Sequence, residues 1–220
     1  YENFNHPAST IVNCAFNAGY NFAFRAANSY NLTFSSNLAL GNWGGGVYID
    51  PSNTLFVVES NLVIGSRQLP SVLLSSFPWV RPIASFSIHS PAGLVRNNLA
   101  AGSEDQGFSV AMATFVSADA RYRALCPVTR SVPLTSEYSS LLDSYKNDQF
   151  NNNEAVACRT GLAAVTMYAG ETDASDCAVL DGMKVWRSAH VGIQGLDIVP
   201  NVLIARSVLA ENFIGTNLMY

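Results

Sequence analysis

The sequence predicts an all-β solenoid, a single-stranded parallel β-helix in which each turn of chain lays down three short strands. Three observations carry this expectation. Asn-Leu, two small or aliphatic residues and Gly are written three times, as Asn37-Leu38-Ala39-Leu40-Gly41, Asn61-Leu62-Val63-Ile64-Gly65 and Asn98-Leu99-Ala100-Ala101-Gly102, with a degraded copy at Asn13-Cys14-Ala15-Phe16-Asn17. Asn13, Asn37 and Asn61 follow one another at a period of 24 residues. A glycine that opens an apolar strand recurs nine residues after the motif asparagine, at Gly46 and Gly107, and eight after Asn153, at Gly161. Self-similarity at such a period marks a repeat in which one turn cannot bury its apolar face without its neighbours.

Each element follows from local chemistry. Strand-like stretches at 20–24, 31–34, 46–49, 54–58, 61–64, 108–112 and 162–167 are short, apolar or β-branched, and bounded by Asn, Gly, Ser and Pro. That pattern fits strands and turns, not helix. Residues 180–220 read as two further coils. Asparagines at one place in successive turns can stack into a hydrogen-bonded ladder, and Asn13, Asn37, Asn61 and Asn98 are its expected rungs. Glycine at the corner supplies a backbone with positive φ. Two segments break the period, 66–92 with four prolines and 116–152 with a possible helix at 135–146. Both read as loops inserted on the flank of a single domain spanning 1–220.

Composition narrows the function classes. Only 13% of the 220 residues are charged and 49% are hydrophobic, with a net charge of −4. Lys and Arg form no basic stripe, so nucleic acid is not an expected partner. No apolar run reaches the ~18 residues of a membrane span. The chain opens on Tyr1, which reads as an internal segment or a processed product. A neutral polar coat suits an extracellular or cell-surface β protein. In that setting Cys14, Cys126, Cys158 and Cys177 are disulfide candidates with three possible connectivities. Asn31-Leu32-Thr33 is the one N-glycosylation sequon, which makes Asn31 the candidate acceptor.

The stretch Val95-Arg96-Asn97-Asn98-Leu99-Ala100-Ala101-Gly102-Ser103-Glu104-Asp105-Gln106-Gly107-Phe108 resembles a signature of the fibrocystin and fibrocystin-like surface proteins, shared with the related G8-domain hyaluronan-processing proteins. Residues 152–161 and 177–193 are similar to later coils of that family, and the resemblance covers about 95–218. It implies a right-handed parallel β-helix within a large extracellular protein. It does not imply an enzyme, because most of that family has no established chemistry.

Candidate chemistry is weighed against that background. Carbohydrate cleavage needs two suitably spaced carboxylates, or a carboxylate and a basic residue. The acids available are Glu104 and Asp105; Glu171, Asp173 and Asp176; and Asp181 and Asp197, with His190 nearby. Each group has a plain structural explanation as turn or corner carboxylates, so no catalytic residue is assigned. An enzyme would need Glu104, Asp105 or Asp181 to line one groove with Arg96 or Lys184. His6, His89 and His190 are dispersed, no metal or cofactor site is expected, and Trp43, Trp79 and Trp186 offer stacking surfaces for glycans. The expected function is an extracellular structural or adhesive β-helix module. Its expected partners are other segments of the same protein, identical subunits that could stack into fibres, or glycans. A polysaccharide-active enzyme domain and a non-catalytic glycan- or protein-binding receptor segment are the alternatives.

Overall fold

The computed structural model describes residues 9–27, 29–50, 53–70, 83–89, 93–111, 150–165, 178–196 and 202–218. They are all-β: three parallel sheets of seven strands each, the arrangement of a parallel β-helix. Rung 1 holds β1 (Ser9–Val12), β2 (Ala15–Asn17) and β3 (Phe24–Ala26). Rung 2 holds β4 (Tyr30–Ser35), β5 (Leu38–Leu40) and β6 (Val47–Ile49), and rung 3 holds β7 (Thr54–Glu59), β8 (Leu62–Ile64) and β9 (Ala84–Ile88). Rung 4 comprises β10 (Gly93–Arg96), β11 (Leu99–Ala101) and β12 (Gln106–Ala111), and rung 5 comprises β13 (Phe150–Asn151), β14 (Glu154–Val156) and β15 (Thr160–Val165). Rung 6 is β16 (Ala178–Asp181), β17 (Lys184–Trp186) and β18 (Val191–Leu196); rung 7 is β19 (Val202–Ala205), β20 (Val208–Ala210) and β21 (Ile214–Leu218). Sheet A stacks the first strand of each rung, sheet B the second and sheet C the third.

Backbone conformation shows what actually repeats. In every rung the residue that leaves sheet A and the residue that leaves sheet B both take a left-handed conformation, with φ between 47° and 67°. The pairs are Asn13 and Ala18, Ser36 and Gly41, Ser60 and Gly65, Asn97 and Gly102, Asn152 and Ala157, Gly182 and Arg187, and Arg206 and Glu211, always five residues apart. The Asn-Leu-x-x-Gly motif is therefore corner, three-residue strand, corner. Gly41, Gly65 and Gly102 recur because left-handed φ costs other residues roughly 1–2 kcal/mol. Gly46, Gly107 and Gly161 recur for another reason, since none of them has positive φ. A Cβ at Gly46 would lie 2.5 Å from Val63 Cγ1, and one at Gly107 2.9 Å from Ala155 Cβ. They are bare because sheet B presses its inward side chains onto the start of sheet C.

The core runs up the inside of the coil. Phe34, Val58, Val95, Phe150 and Leu180 line sheet A in register, and Ala39, Val63, Ala100, Ala155 and Val185 line sheet B. Phe86, Phe108, Leu162 and Ile193 line sheet C. Small residues on sheet B leave room for rings from A and C. Phe24 stacks on Phe34 at 4.3 Å between centroids and Phe86 on Phe108 at 4.9 Å, while Phe150 meets Phe108 edge-on at 5.8 Å. Burying each such side chain is worth about 1.5–3 kcal/mol.

Several sequence readings shift in detail. The strand expected at 20–24 lies at Phe24–Ala26, because 18–23 forms the second corner. β9 falls inside the expected insertion 66–92, and β13 inside 116–152, so the coil reclaims residues from both. The possible helix at 135–146 lies outside the described residues. The corner geometry has a direct test in chemical denaturation. Nothing lies within 4 Å of a Cβ at Gly102 except the Gly65 amide nitrogen at 4.0 Å, so Gly102→Ala should cost about 1 kcal/mol through backbone strain alone. Ala157→Gly should raise stability by roughly 0.5 kcal/mol, the strain relieved less the added chain entropy.

Candidate functional site

Among the described residues, the first corner carries the most regular polar chemistry. Asn37, Asn61, Asn98 and Asn153 are all buried immediately after a left-handed residue, one above another. The Oδ1 atoms of Asn61, Asn98 and Asn153 each accept two N–H groups from the rung before, and that of Asn37 accepts one. Asn61 Oδ1 takes the Asn37 amide at 2.9 Å and Asn37 Nδ2 at 3.1 Å; Asn98 Oδ1 takes both from Asn61 at 3.0 Å. Asn153 Oδ1 takes the Asn98 amide at 3.1 Å and Asn98 Nδ2 at 3.0 Å. Each Nδ2 also donates backwards to a carbonyl one rung earlier: Asn37 to Ile11, Asn61 to Phe34, Asn98 to Val58 and Asn153 to Val95. A side chain needs one acceptor and two donors on one short arm to do this, which only Asn supplies at that length.

Two ladder assignments change. Asn13 is exposed and occupies the left-handed position, so it is not a rung; Cys14 stands there and its amide donates to Asn37 Oδ1 at 2.9 Å. The ladder step from Cys14 to Asn37 is 23 residues while the next is 24, which shifted the sequence count by one. Asn153 is a rung that the sequence reading left out of the ladder, because its motif lacks both Leu and Gly. The doubled asparagines of Asn97-Asn98 and Asn152-Asn153 were the available signal. Beyond Asn153 the buried Met183 takes the position and the carboxamide series stops.

The other corners repeat this less completely. At the second, Asn42 Oδ1 accepts the Gly19 amide at 2.9 Å and Asn212 Oδ1 that of Ser188 at 2.8 Å. Ser66 and Ser85 share a hydroxyl bond at 3.0 Å, and Cys158 Sγ faces the Ala100 carbonyl at 3.8 Å. Ser103 Oγ and Ser188 Oγ, one rung either side of Cys158, are buried without a protein partner. At the third corner Asn53 Oδ1 accepts the Ser29 amide while its Nδ2 reaches the Ala26 carbonyl, both at 2.8 Å.

The residues an enzyme would need in one groove divide between two places, Glu104 and Asp105 at the second corner and Asp181 with Arg96 in one column of sheet A. Glu104 sits at the second corner with Oε2 on the Gln68 amide at 2.8 Å, and Asp105 beside it faces Arg159 at 3.8 Å. Asp181 is buried on sheet A and bound by Arg206, with Nε at 2.8 Å. Arg96 pairs with Glu59 at 3.0 Å on sheet A, and Lys184 is exposed on sheet B. Each of these ion pairs, with Arg187 and Glu211 at 2.6 Å, joins one rung to the next. Glu171, Asp173, Asp176, Asp197, His6, Trp79, Cys126 and Cys177 lie outside the described residues. Cys14 and Cys158 are thiols, the first exposed and the second buried. Asn31 is half-buried in β4 in a left-handed conformation, skipped by the pairing of Tyr30 with Thr54 and Leu32 with Phe56.

One titratable group of side chains escaped the sequence reading. On the outer side of sheet C in rungs 1–3, Arg25 lies 5.9 Å from the Tyr48 ring centroid and His89 meets that ring edge-on at 5.3 Å. Burial raises the Tyr48 pKa, with Asp50 adding to the rise and Arg25 opposing it. Burial lowers that of His89 against the pull of Asp50. Trp43 is half-buried under the Arg67 guanidinium at 5.5 Å, and Trp186 is half-exposed on sheet B. The outer face of sheet B is an aliphatic strip, with Leu38, Leu62 and Leu99 in one half-exposed column. Among the described residues no three His, Cys, Asp or Glu side chains converge on a point, and no described helix is long and apolar enough to cross a membrane. Searches against known protein families, curated proteins and solved structures find no match.

Two measurements bear on these polar groups. Asn98→Ala strands the Asn61 amide and the Val58 carbonyl in the interior and leaves Asn61 Nδ2 with one of its two acceptors, so urea unfolding should show a loss of about 3 kcal/mol or more. Burial pushes the Asp105 carboxyl above its ordinary pKa, outweighing Arg159 and the Ile83 amide. The folded state then holds that proton more tightly than the unfolded chain, so stability falls as pH rises from the unfolded to the folded pKa. Asp105→Asn should flatten that fall and leave acid stability unchanged.

Proposed function

We propose that this chain is a structural or adhesive module, a rigid β-helical rod of an extracellular or cell-surface protein. The observation that carries the reading is the continuity of the rod. One apolar core and one carboxamide ladder run through consecutive rungs, so polar chemistry in the interior is spent on joining coil to coil. The low charge of the surface, the sequon at Asn31 and the resemblance of residues 95–108 to fibrocystin-like surface proteins support the extracellular setting. Glu104 and Asp105 stand apart from Arg96 and Lys184, and Asp181, which shares a column of sheet A with Arg96, is buried and bound by Arg206; both weigh against the polysaccharide-active alternative.

The rod reading and the enzyme reading part on one experiment. The chain, secreted from eukaryotic cells behind an added signal peptide, is expected in the medium as a protease-resistant fold whose glycosidase-sensitive mobility shift disappears in Asn31→Gln. It should release no reducing ends from a panel of acidic and neutral polysaccharides. Depolymerisation by the wild-type chain that Asp105→Asn abolishes would overturn the structural assignment.

A further inference from the structure

The second corner repeats the logic of the first with shorter side chains. Directly after the left-handed residue that leaves sheet B, rungs 2 to 7 carry Asn42, Ser66, Ser103, Cys158, Ser188 and Asn212. Backbone bonds just beyond keep them in register: the Arg67 amide donates to Asn42, that of Glu104 to Ser66, that of Arg159 to Ser103 and that of Ala189 to Cys158. Where the side chain is a carboxamide, its Oδ1 takes the amide of the equivalent residue one rung earlier, Gly19 on Asn42 at 2.9 Å and Ser188 on Asn212 at 2.8 Å. The Ser103 amide likewise acts on the sulfur of Cys158, favouring the thiolate against the effect of burial.

Serine breaks this series. Ser103 and Ser188 are each 3% exposed, and both hydroxyls are buried without a protein partner. The amides of Ser66 and Cys158, one rung earlier, find no acceptor among the described residues either. A hydroxyl oxygen sits one bond from Cβ and a carboxamide oxygen two, so across a rung spacing of about 4.8 Å the serine arm stops short. A buried N–H and a buried hydroxyl held apart are both costly. The pair calls for a small neutral molecule that accepts from the amide and donates to the hydroxyl. An ion does not suit it, because the one buried charged residue among those described is Asp181, on sheet A.

We propose that the second corner contains two internal water-binding sites, one between the Ser66 amide and Ser103 Oγ and one between the Cys158 amide and Ser188 Oγ. Each water stands where Asn42 and Asn212 place a carboxamide oxygen in their own rungs. Two polar partners at each site meet the minimum for an ordered internal water. The two corners then differ in kind. The first joins rungs through protein groups alone, and the second uses water at these two steps. Ser188 is the position at which a longer arm has room. The Asn212 carboxamide lies against Gly192, where a Cβ would come within 3.1 Å of Nδ2. The equivalent of Gly192 one rung earlier is Gly161, so an asparagine side chain at 188 also meets a glycine.

A crystal structure of the full chain that shows ordered solvent, paired with water–amide NOE spectroscopy in solution, tests both sites. The wild type is expected to show one water within about 3.2 Å of both partners at each site, and water cross-peaks at the Ser66 and Cys158 amide protons. In Ser188→Asn the water and cross-peak at Cys158 are lost, those at Ser66 remain, and the melting temperature rises as a direct bond replaces an immobilised water. Wild-type density in which the hydroxyl bonds the amide directly, or in which no water lies between them, overturns the site concerned. A water that stays on the Cys158 amide in Ser188→Asn does the same for the second site. Should that variant fail to fold, the wild-type density and cross-peaks decide by themselves.

Discussion

A chain that turns a corner in a parallel coil breaks its sheet pairing, and the break leaves a carbonyl just before the corner and an amide just after it. Both would be buried, and an unpaired buried backbone group costs about 1–3 kcal/mol. The ladder carboxamides resolve the two at once. Nδ2 of each asparagine returns to the stranded carbonyl of the previous rung, and Oδ1 accepts the stranded amide of that rung together with its neighbouring Nδ2. The rest of the first corner fits this demand: the residue before each asparagine is left-handed, and residues with fewer hydrogen-bonding groups, Cys14 and Met183, hold the position only where the ladder ends.

Because the corner, strand and second corner act as one rigid unit, variation is pushed elsewhere in the coil. The five-residue spacing of the corners survives in all seven rungs, while chain lengths between successive units range widely. The long excursions leave either between sheets B and C of rung 3 or between sheet C of one rung and sheet A of the next. Neither site lies between the two corners, where one added residue would turn the sheet B side chains inside out. Inter-rung ion pairs, from Glu59 with Arg96 to Arg187 with Glu211, decorate the outside of this unit. Exposed pairs of that kind are worth little individually, so the rod depends on its inner polar ladder and apolar core.

Much of this was legible in the sequence, and the failures have physical causes. Asn37, Asn61 and Asn98 announced the ladder because the same demand selected the same residue three times. Asn13 misled because both the left-handed position and the ladder position favour asparagine, and only hydrogen bonding distinguishes them. Asn153 was obscured because Ala157 fills its second corner in place of Gly, accepting backbone strain. Gly46, Gly107 and Gly161 recurred in the sequence for want of space, although glycine there resembled a turn signal. The Arg25, Tyr48, Asp50 and His89 group was invisible because its members come from different rungs and meet only when the coil closes.

The exchange of carboxamide hydrogens with solvent is the most direct probe of the ladder. In NMR-detected hydrogen exchange, the Nδ2 protons of Asn61 and Asn98 are expected to exchange only through global unfolding, at the same free energy as the Phe34 and Val95 core amides, while the exposed Asn13 and Asn17 side chains exchange at solvent rates. Rapid exchange of the Asn61 and Asn98 carboxamides in a chain whose core amides stay protected would contradict a ladder that holds one coil to the next.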